Sequence, residues 1–134
     1  MKDQVTPEQV RSYQDNGFLV IENFLDAEET AHWSRTTDEA VAERLASNSS
    51  ALNNQGDPEN YYAQVFTQCL KLADTHAGMR ALMLDPRLGQ VAATLAGVEG
   101  IRIWHDQALF KPPFGNPTGW HLDNPYWSFS SRNS

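Results

Sequence analysis

The sequence has 134 residues, 40% of them hydrophobic, which is enough for one domain with a buried core. Its formal net charge is -7, and its ten lysine and arginine residues are scattered, so nucleic acid is not expected as a partner. It has no apolar run long enough to cross a membrane, no secretory signal at its start and one cysteine, which together predict a cytoplasmic protein without an internal disulfide.

The first predicted helix and the first predicted strand follow one another directly. Thr6 and Pro7 are typical of a helix start and Gly17 of a helix end, so the helix is expected between them. Residues 18–21, with the sequence FLVI, are too few for a helix. Their aromatic and branched side chains predict a buried strand instead.

A second, longer helix is expected from Asp26, which has the capping-box partner Glu29 three residues later, to about Ser47. Its residues at helical spacing are Thr30, Trp33, Thr37, Val41 and Leu45. Residues 47–60 are rich in Ser, Asn, Gly and Pro without an apolar period, and they predict an exposed loop.

Two more helices are predicted before residue 97. The first begins at Tyr62 and has an apolar face of Val65, Phe66, Cys69, Leu72 and Ala73. On this face Cys69 is expected to be a core residue rather than a reactive thiol. Asp85 and Pro86 predict the start of the next helix, and Gly97 predicts its end.

The composition changes after Gly100. Residues 101–111 and 120–129 suit strands, and residues 112–119 form a turn region rich in Pro and Gly. We therefore expect an α+β chain in one partial domain. Residues 1–97 would be its mainly helical part and residues 98–134 its strands.

His121 and Asp123 are two residues apart, so on a strand both side chains project from the same face. A redox-active iron(II) site uses two histidines and one carboxylate on one face of an octahedron, and this pair supplies two of the three ligands. Alone, a His-x-Asp triplet is weak evidence, because many such triplets lie on solvated strands or turns.

The preceding predicted strand is unusually polar. Period two places His105, Gln107, Leu109 and Lys111 on one of its faces. A buried amide and ammonium group need partners, so this face either contacts an anionic ligand or is the wet face of an edge strand. The residues alone leave both alternatives open.

Four segments in this order resemble the phytanoyl-CoA dioxygenase-like family. They are residues 13–25 (YQDNGFLVIENFL), 104–107 (WHDQ), 111–113 (KPP) and 118–127 (TGWHLDNPYW). The resemblance implies N-terminal helices followed by the first strands of a double-stranded β-helix, the cupin-like jelly roll. It also implies an Fe(II)- and 2-oxoglutarate-dependent dioxygenase that uses O2 to hydroxylate a small organic substrate.

The resemblance also implies roles for single residues. His121 and Asp123 become iron ligands, and Lys111 and Gln107 become candidates for binding 2-oxoglutarate or substrate. His105, Trp120 and Trp127 become pocket residues. Related halogenases replace the carboxylate ligand with a small residue, so Asp123 favours hydroxylation.

Family members continue beyond the point that matches Ser134, through further strands, a second iron-binding histidine and an arginine for 2-oxoglutarate. We therefore expect an incomplete barrel and a chain with little oxygenase activity by itself. His32 and His76 lie on predicted helices, and His105 is expected near the site rather than on the iron. The alternative function is a short non-catalytic protein that binds a partner or self-associates through its unpaired strands.

Overall fold

The computed structural model describes residues 1–47, 53 and 65–122 of the chain. In chain order the elements within these ranges are α1 (Pro7–Asn16), α2 (Ala27–Ala46), β1 (Thr67–Leu70), α3 (Leu72–Thr75), α4 (Ala77–Met83), α5 (Pro86–Ala96) and β2 (Gln107–Phe110). The expected mixture of helices and strands is confirmed. No helix in the described ranges combines the length and the apolar character that a membrane crossing requires.

Helix α1 begins and ends where its capping residues predict. The Thr6 hydroxyl accepts from the backbone N–H of Gln9, while the Gln9 side chain accepts from the backbone N–H of Thr6. Gly17 ends the helix in the left-handed conformation at φ 77° and donates to Tyr13 O. α1 lies on the surface and packs against α5.

Helix α5 also has its predicted ends. The carboxylate of Asp85 accepts from the backbone N–H of Arg87 at 2.9 Å, and Gly97 ends the helix at φ 67°. The Arg87 guanidinium beside Asp85 lowers the pKa of that carboxyl, mainly through their side-chain hydrogen bond. The Arg87 guanidinium also forms an ion pair with Glu29 of α2 at 2.8 Å, and this ion pair links the first turns of α2 and α5.

Helix α2 has the predicted start, with a capping box between Asp26 and Glu29, and it ends at Ala46 with Ser47 as its cap. The buried face differs from the prediction. Its buried residues are Thr36, Ala40, Val41 and Arg44, whereas Leu45 is 42% exposed. The prediction is confirmed at Val41, but it did not include Arg44, whose hydrogen-bonded guanidinium is on the buried side.

The predicted strand at residues 18–21 is wrong. These residues form no strand, and Phe18 and Val20 are 66% and 71% exposed. A strand requires a neighbouring strand for its backbone hydrogen bonds, and the described ranges offer none to this segment. An apolar run of four residues therefore did not decide the local structure.

The helix predicted from Tyr62 is wrong at residues 67–70, which form β1; residues 62–64 lie outside the described part. β1 pairs antiparallel with β2, in the register Thr67 to Phe110, Gln68 to Leu109, Cys69 to Ala108 and Leu70 to Gln107. The apolar residues fitted a helical period by chance, and pairing with a distant strand overrides it. Within the loop predicted at 47–60, Asn53 is described, and it bridges to Cys69.

The second predicted strand region is shorter than expected. β2 covers Gln107–Phe110 instead of residues 101–111, and the segment predicted as a turn, 112–119, contains no helix or strand. Residues 120–122 of the predicted strand 120–129 are irregular, and residues 123–129 lie outside the described part.

The core lies where α2, the sheet, α3 and α4 meet. Its buried residues are Ala40, Val41, Cys69, Leu72, Met79 and Ala108, with Leu82 packed against them. Cys69 is fully buried, and its burial raises the pKa of the thiol, which Arg44 opposes. The prediction that Cys69 is a core residue is confirmed, although it lies on a strand.

Gly78 provides a test of how closely α4 packs against α2. A Cβ atom on Gly78 would lie 2.6 Å from Thr36 Cγ2, so Gly78→Ala is expected to lower the free energy of unfolding by about 1–3 kcal/mol. In urea unfolding, Gly78→Ala should cost less when Thr36→Ser has removed the clashing methyl group.

Gly89 in α5 is the matched control for this prediction, since a Cβ there meets nothing within 4 Å. Gly89→Ala is expected to be neutral or to stabilise by up to about 1 kcal/mol through helix propensity. Equal destabilisation by both alanines, or no relief from Thr36→Ser, would contradict the close packing.

Candidate metal and co-substrate site

His121 lies beyond the turn region and is exposed, and its ring contacts a backbone carbonyl group. Nδ1 lies 2.9 Å from the carbonyl oxygen of Gly119. A carbonyl oxygen only accepts, so Nδ1 donates in this contact, and the tautomer that does so leaves Nε2 as the atom with a lone pair. Metal-binding histidines are commonly oriented in this way, so the tautomer of His121 fits a metal ligand.

The partner residues of this predicted site are only partly described. Asp123 and Trp127 lie outside the described residues, and the roles predicted for them stay predictions. Trp120 is fully exposed in the described part of the chain. Within that part, no three His, Cys, Asp or Glu side chains are grouped so that they could hold a metal ion.

The sheet separates two faces at β2. Asp106 and Ala108 are buried, whereas Gln107 and Leu109 are exposed, so the period-two prediction for these positions agrees with the register. Gln107 Oε1 accepts a hydrogen bond from Gln68 Nε2 at 3.0 Å. The predicted polar face therefore includes a residue of β1 that the sequence did not indicate.

The other two residues predicted near this face are also described. Lys111 directly follows β2 and is exposed. His105 is half-buried, its Nδ1 lies 3.2 Å from Asp106 O, and its ring is tilted 48° to that of Trp104. Their predicted binding and pocket roles stay predictions.

Asp106 is a buried residue whose importance the sequence analysis missed. Its carboxylate accepts from the backbone N–H of Leu72 at 2.8 Å and of Ala73 at 3.3 Å, at the start of α3. Its carbonyl oxygen accepts from Lys71 N at 2.9 Å. The sequence did contain a signal for the burial of Asp106. It lies between His105 and Gln107, so period two places it on the opposite face of the strand, which is the core face.

Arg44 of α2 also binds the turn between β1 and α3. Its guanidinium, on a residue that is only 4% exposed, donates to Leu70 O, to Lys71 O at 3.1 Å and to Thr75 Oγ1 at 2.7 Å. Lys71 has a left-handed backbone at φ 53°, which is unusual for a residue with a side chain. Arg44 and Asp106 together stabilise the turn between β1 and α3 and so fix the start of β2.

The two remaining histidines, His32 and His76, make local contacts. His76 lies between α3 and α4 rather than inside a helix, and its Nδ1 accepts from Met79 N at 3.2 Å, which caps α4. His32 is an exposed residue of α2 whose ring lies 4.4 Å from that of Trp33.

Known proteins match this sequence over most of its length. The model of the phytanoyl-CoA dioxygenase family matches residues 13–134. Two proteins named ectoine dioxygenase, from Bordetella parapertussis and Bordetella bronchiseptica, are each 30% identical over an alignment of 131 residues, and the match covers 93% of this chain. The chain spans 39% of the length of these relatives. No solved structure matches it significantly.

Proposed function

The chain belongs to the phytanoyl-CoA dioxygenase family, and we propose that the full-length protein is an Fe(II)- and 2-oxoglutarate-dependent dioxygenase that hydroxylates a small organic substrate. The observation that carries this proposal is the family match over residues 13–134, which includes both His121 and Asp123. We further propose that residues 98–134 contain the first strands of a jelly-roll barrel and that residues 1–97 are its helical N-terminal part.

His121 and Asp123 are the proposed metal ligands. The bond from His121 Nδ1 to Gly119 O supports this role, because it directs Nε2 as the coordinating atom. A third ligand would come from outside the described residues. When bound, the iron would supply oxygen activation and a template for 2-oxoglutarate and O2.

Gln107 and Lys111 are the proposed groups for 2-oxoglutarate. An amide N–H and an ammonium group are donors, and a dicarboxylate offers acceptors and the opposite charge. Both residues are exposed at or directly after β2, so a ligand can reach them. His105, Trp120 and Trp127 would line the pocket and exclude water from the bound co-substrate.

Ectoine is the first substrate to test, since the two Bordetella relatives are named ectoine dioxygenase. The match to dioxygenases does not favour the alternative of a short non-catalytic protein that binds a partner or self-associates.

The negative net charge gives no support for a nucleic-acid partner. We propose a cytoplasmic location, where a lone thiol such as Cys69 stays reduced.

The test is succinate formation by the purified full-length protein with Fe(II), 2-oxoglutarate, O2 and ectoine. We expect succinate and hydroxylated ectoine in equal amounts, and neither product after a chelator removes the iron. The 134-residue chain, assayed in parallel, is expected to form little succinate. Binding of 2-oxoglutarate to the Mn(II)-loaded protein by calorimetry provides a test that is independent of the substrate. A folded, metal-loaded protein that neither binds nor decarboxylates 2-oxoglutarate would overturn the proposal.

A further inference from the structure

The face of the sheet that points away from the core carries two glutamines close together. Gln68 of β1 lies opposite Leu109, and Gln107 of β2 lies opposite Leu70. Side chains alternate along a strand, and directly opposed residues share a face, so all four project to the same side. Gln68 therefore lies on the face proposed to contact 2-oxoglutarate.

The hydrogen bond between the two glutamines sets the orientation of one amide group. Gln68 Nε2 donates to Gln107 Oε1 at 3.0 Å. A glutamine amide has one oxygen that accepts and an NH2 group that donates. With Oε1 of Gln107 engaged, the NH2 group is the end that this exposed side chain presents, and among the described residues no acceptor contacts it.

The backbone of Gln107 is held on both sides. Asp106 is anchored to the start of α3 through Leu72 N and Ala73 N, and Ala108 is buried against the core. Gln107 cannot move to the other face without withdrawing these neighbours from their contacts. The remaining freedom is rotation of its side chain, and Gln68 is the described residue that restricts this rotation.

We propose that Gln68 is a positioning residue for a carboxylate ligand, since its hydrogen bond orients the Gln107 amide so that the NH2 group donates to the carboxylate. This inference rests on the proposed function, in which Gln107 contacts 2-oxoglutarate. It adds a residue of β1 to a site that is otherwise formed by β2 and the segment after it.

The test compares three variants of the Mn(II)-loaded full-length protein by calorimetry with 2-oxoglutarate. Gln68→Glu offers only acceptors to Gln107 and favours the reversed amide, so Kd should rise about tenfold, the size of one lost hydrogen bond to a charged group. Gln68→Met leaves the amide free to rotate, and about a threefold rise is expected. Gln14→Glu, on the exposed surface of α1, adds the same charge elsewhere and should leave Kd within about twofold.

The outcomes separate this inference from the proposed function. A rise of Kd in the order Glu above Met above the unsubstituted protein, with melting temperatures unchanged, supports a positioning role. If the unsubstituted protein binds 2-oxoglutarate and both Gln68 variants bind it equally well, the inference is overturned and the proposed function stands. If the unsubstituted protein binds no 2-oxoglutarate, both are overturned.

Discussion

Replacing Asp106 by alanine is expected to lower the free energy of unfolding by about 3–5 kcal/mol. The carboxylate is on a residue that is 8% exposed, and it accepts from the backbone N–H groups of Leu72 and Ala73. Each buried donor left without its partner costs about 1–3 kcal/mol. Since folded domains are stable by only about 5–15 kcal/mol, this loss is a large fraction of the total.

Urea unfolding of the full-length protein, followed by circular dichroism, measures this effect. Asp106→Asn keeps one side-chain oxygen and is expected to lose only about 1–2 kcal/mol, because one acceptor remains but its charge is removed. Asp38→Ala, at an exposed position of α2, is the matched control and should change stability by less than about 0.5 kcal/mol. If Asp106→Ala were as mild as Asp38→Ala, the buried carboxylate would not anchor α3.

The parts of the fold that were predictable from sequence depend on neighbouring residues. Thr6 with Gln9, Asp26 with Glu29, and Gly17 at a left-handed end are local signals, because each residue acts on backbone groups within one turn. The helix ends that they predicted agree with the structure. The segment 18–21 lacked such a signal, and its apolar composition alone gave a wrong prediction.

The parts that were not predictable depend on residues far apart in the sequence. β1 exists because it pairs with β2, about forty residues later, and no local pattern specifies this partner. Arg44 can be buried because Leu70 O, Lys71 O and Thr75 Oγ1 accept from its guanidinium, whereas arginine is mostly exposed in folded proteins. The strand pairing and the contacts of Arg44 could be recognised only in the structure.

The candidate site shows the same division. The His121-x-Asp123 spacing is local and could be recognised directly, and the structure adds the tautomer of His121 through Gly119 O. The contribution of Gln68 to the face of Gln107 depends on the register between two strands. Period-two spacing therefore indicated the polar face of β2, and the antiparallel pairing added β1 to that face.

Replacing His121 by alanine is expected to have the largest effect on function. If His121 Nε2 coordinates the iron, its loss removes one of the proposed ligands, and Fe(II) affinity and succinate formation should each fall by at least about 100-fold. Stability should change by less than about 1 kcal/mol, since the His121 ring is exposed.

Calorimetric titration with Mn(II), with succinate measured in parallel, tests both effects on the same full-length protein. His32→Ala, which removes an exposed imidazole from α2, is the matched control and should keep nearly full metal affinity. Equal metal affinity in the two variants would show that His121 is not a ligand, whatever reaction the protein catalyses.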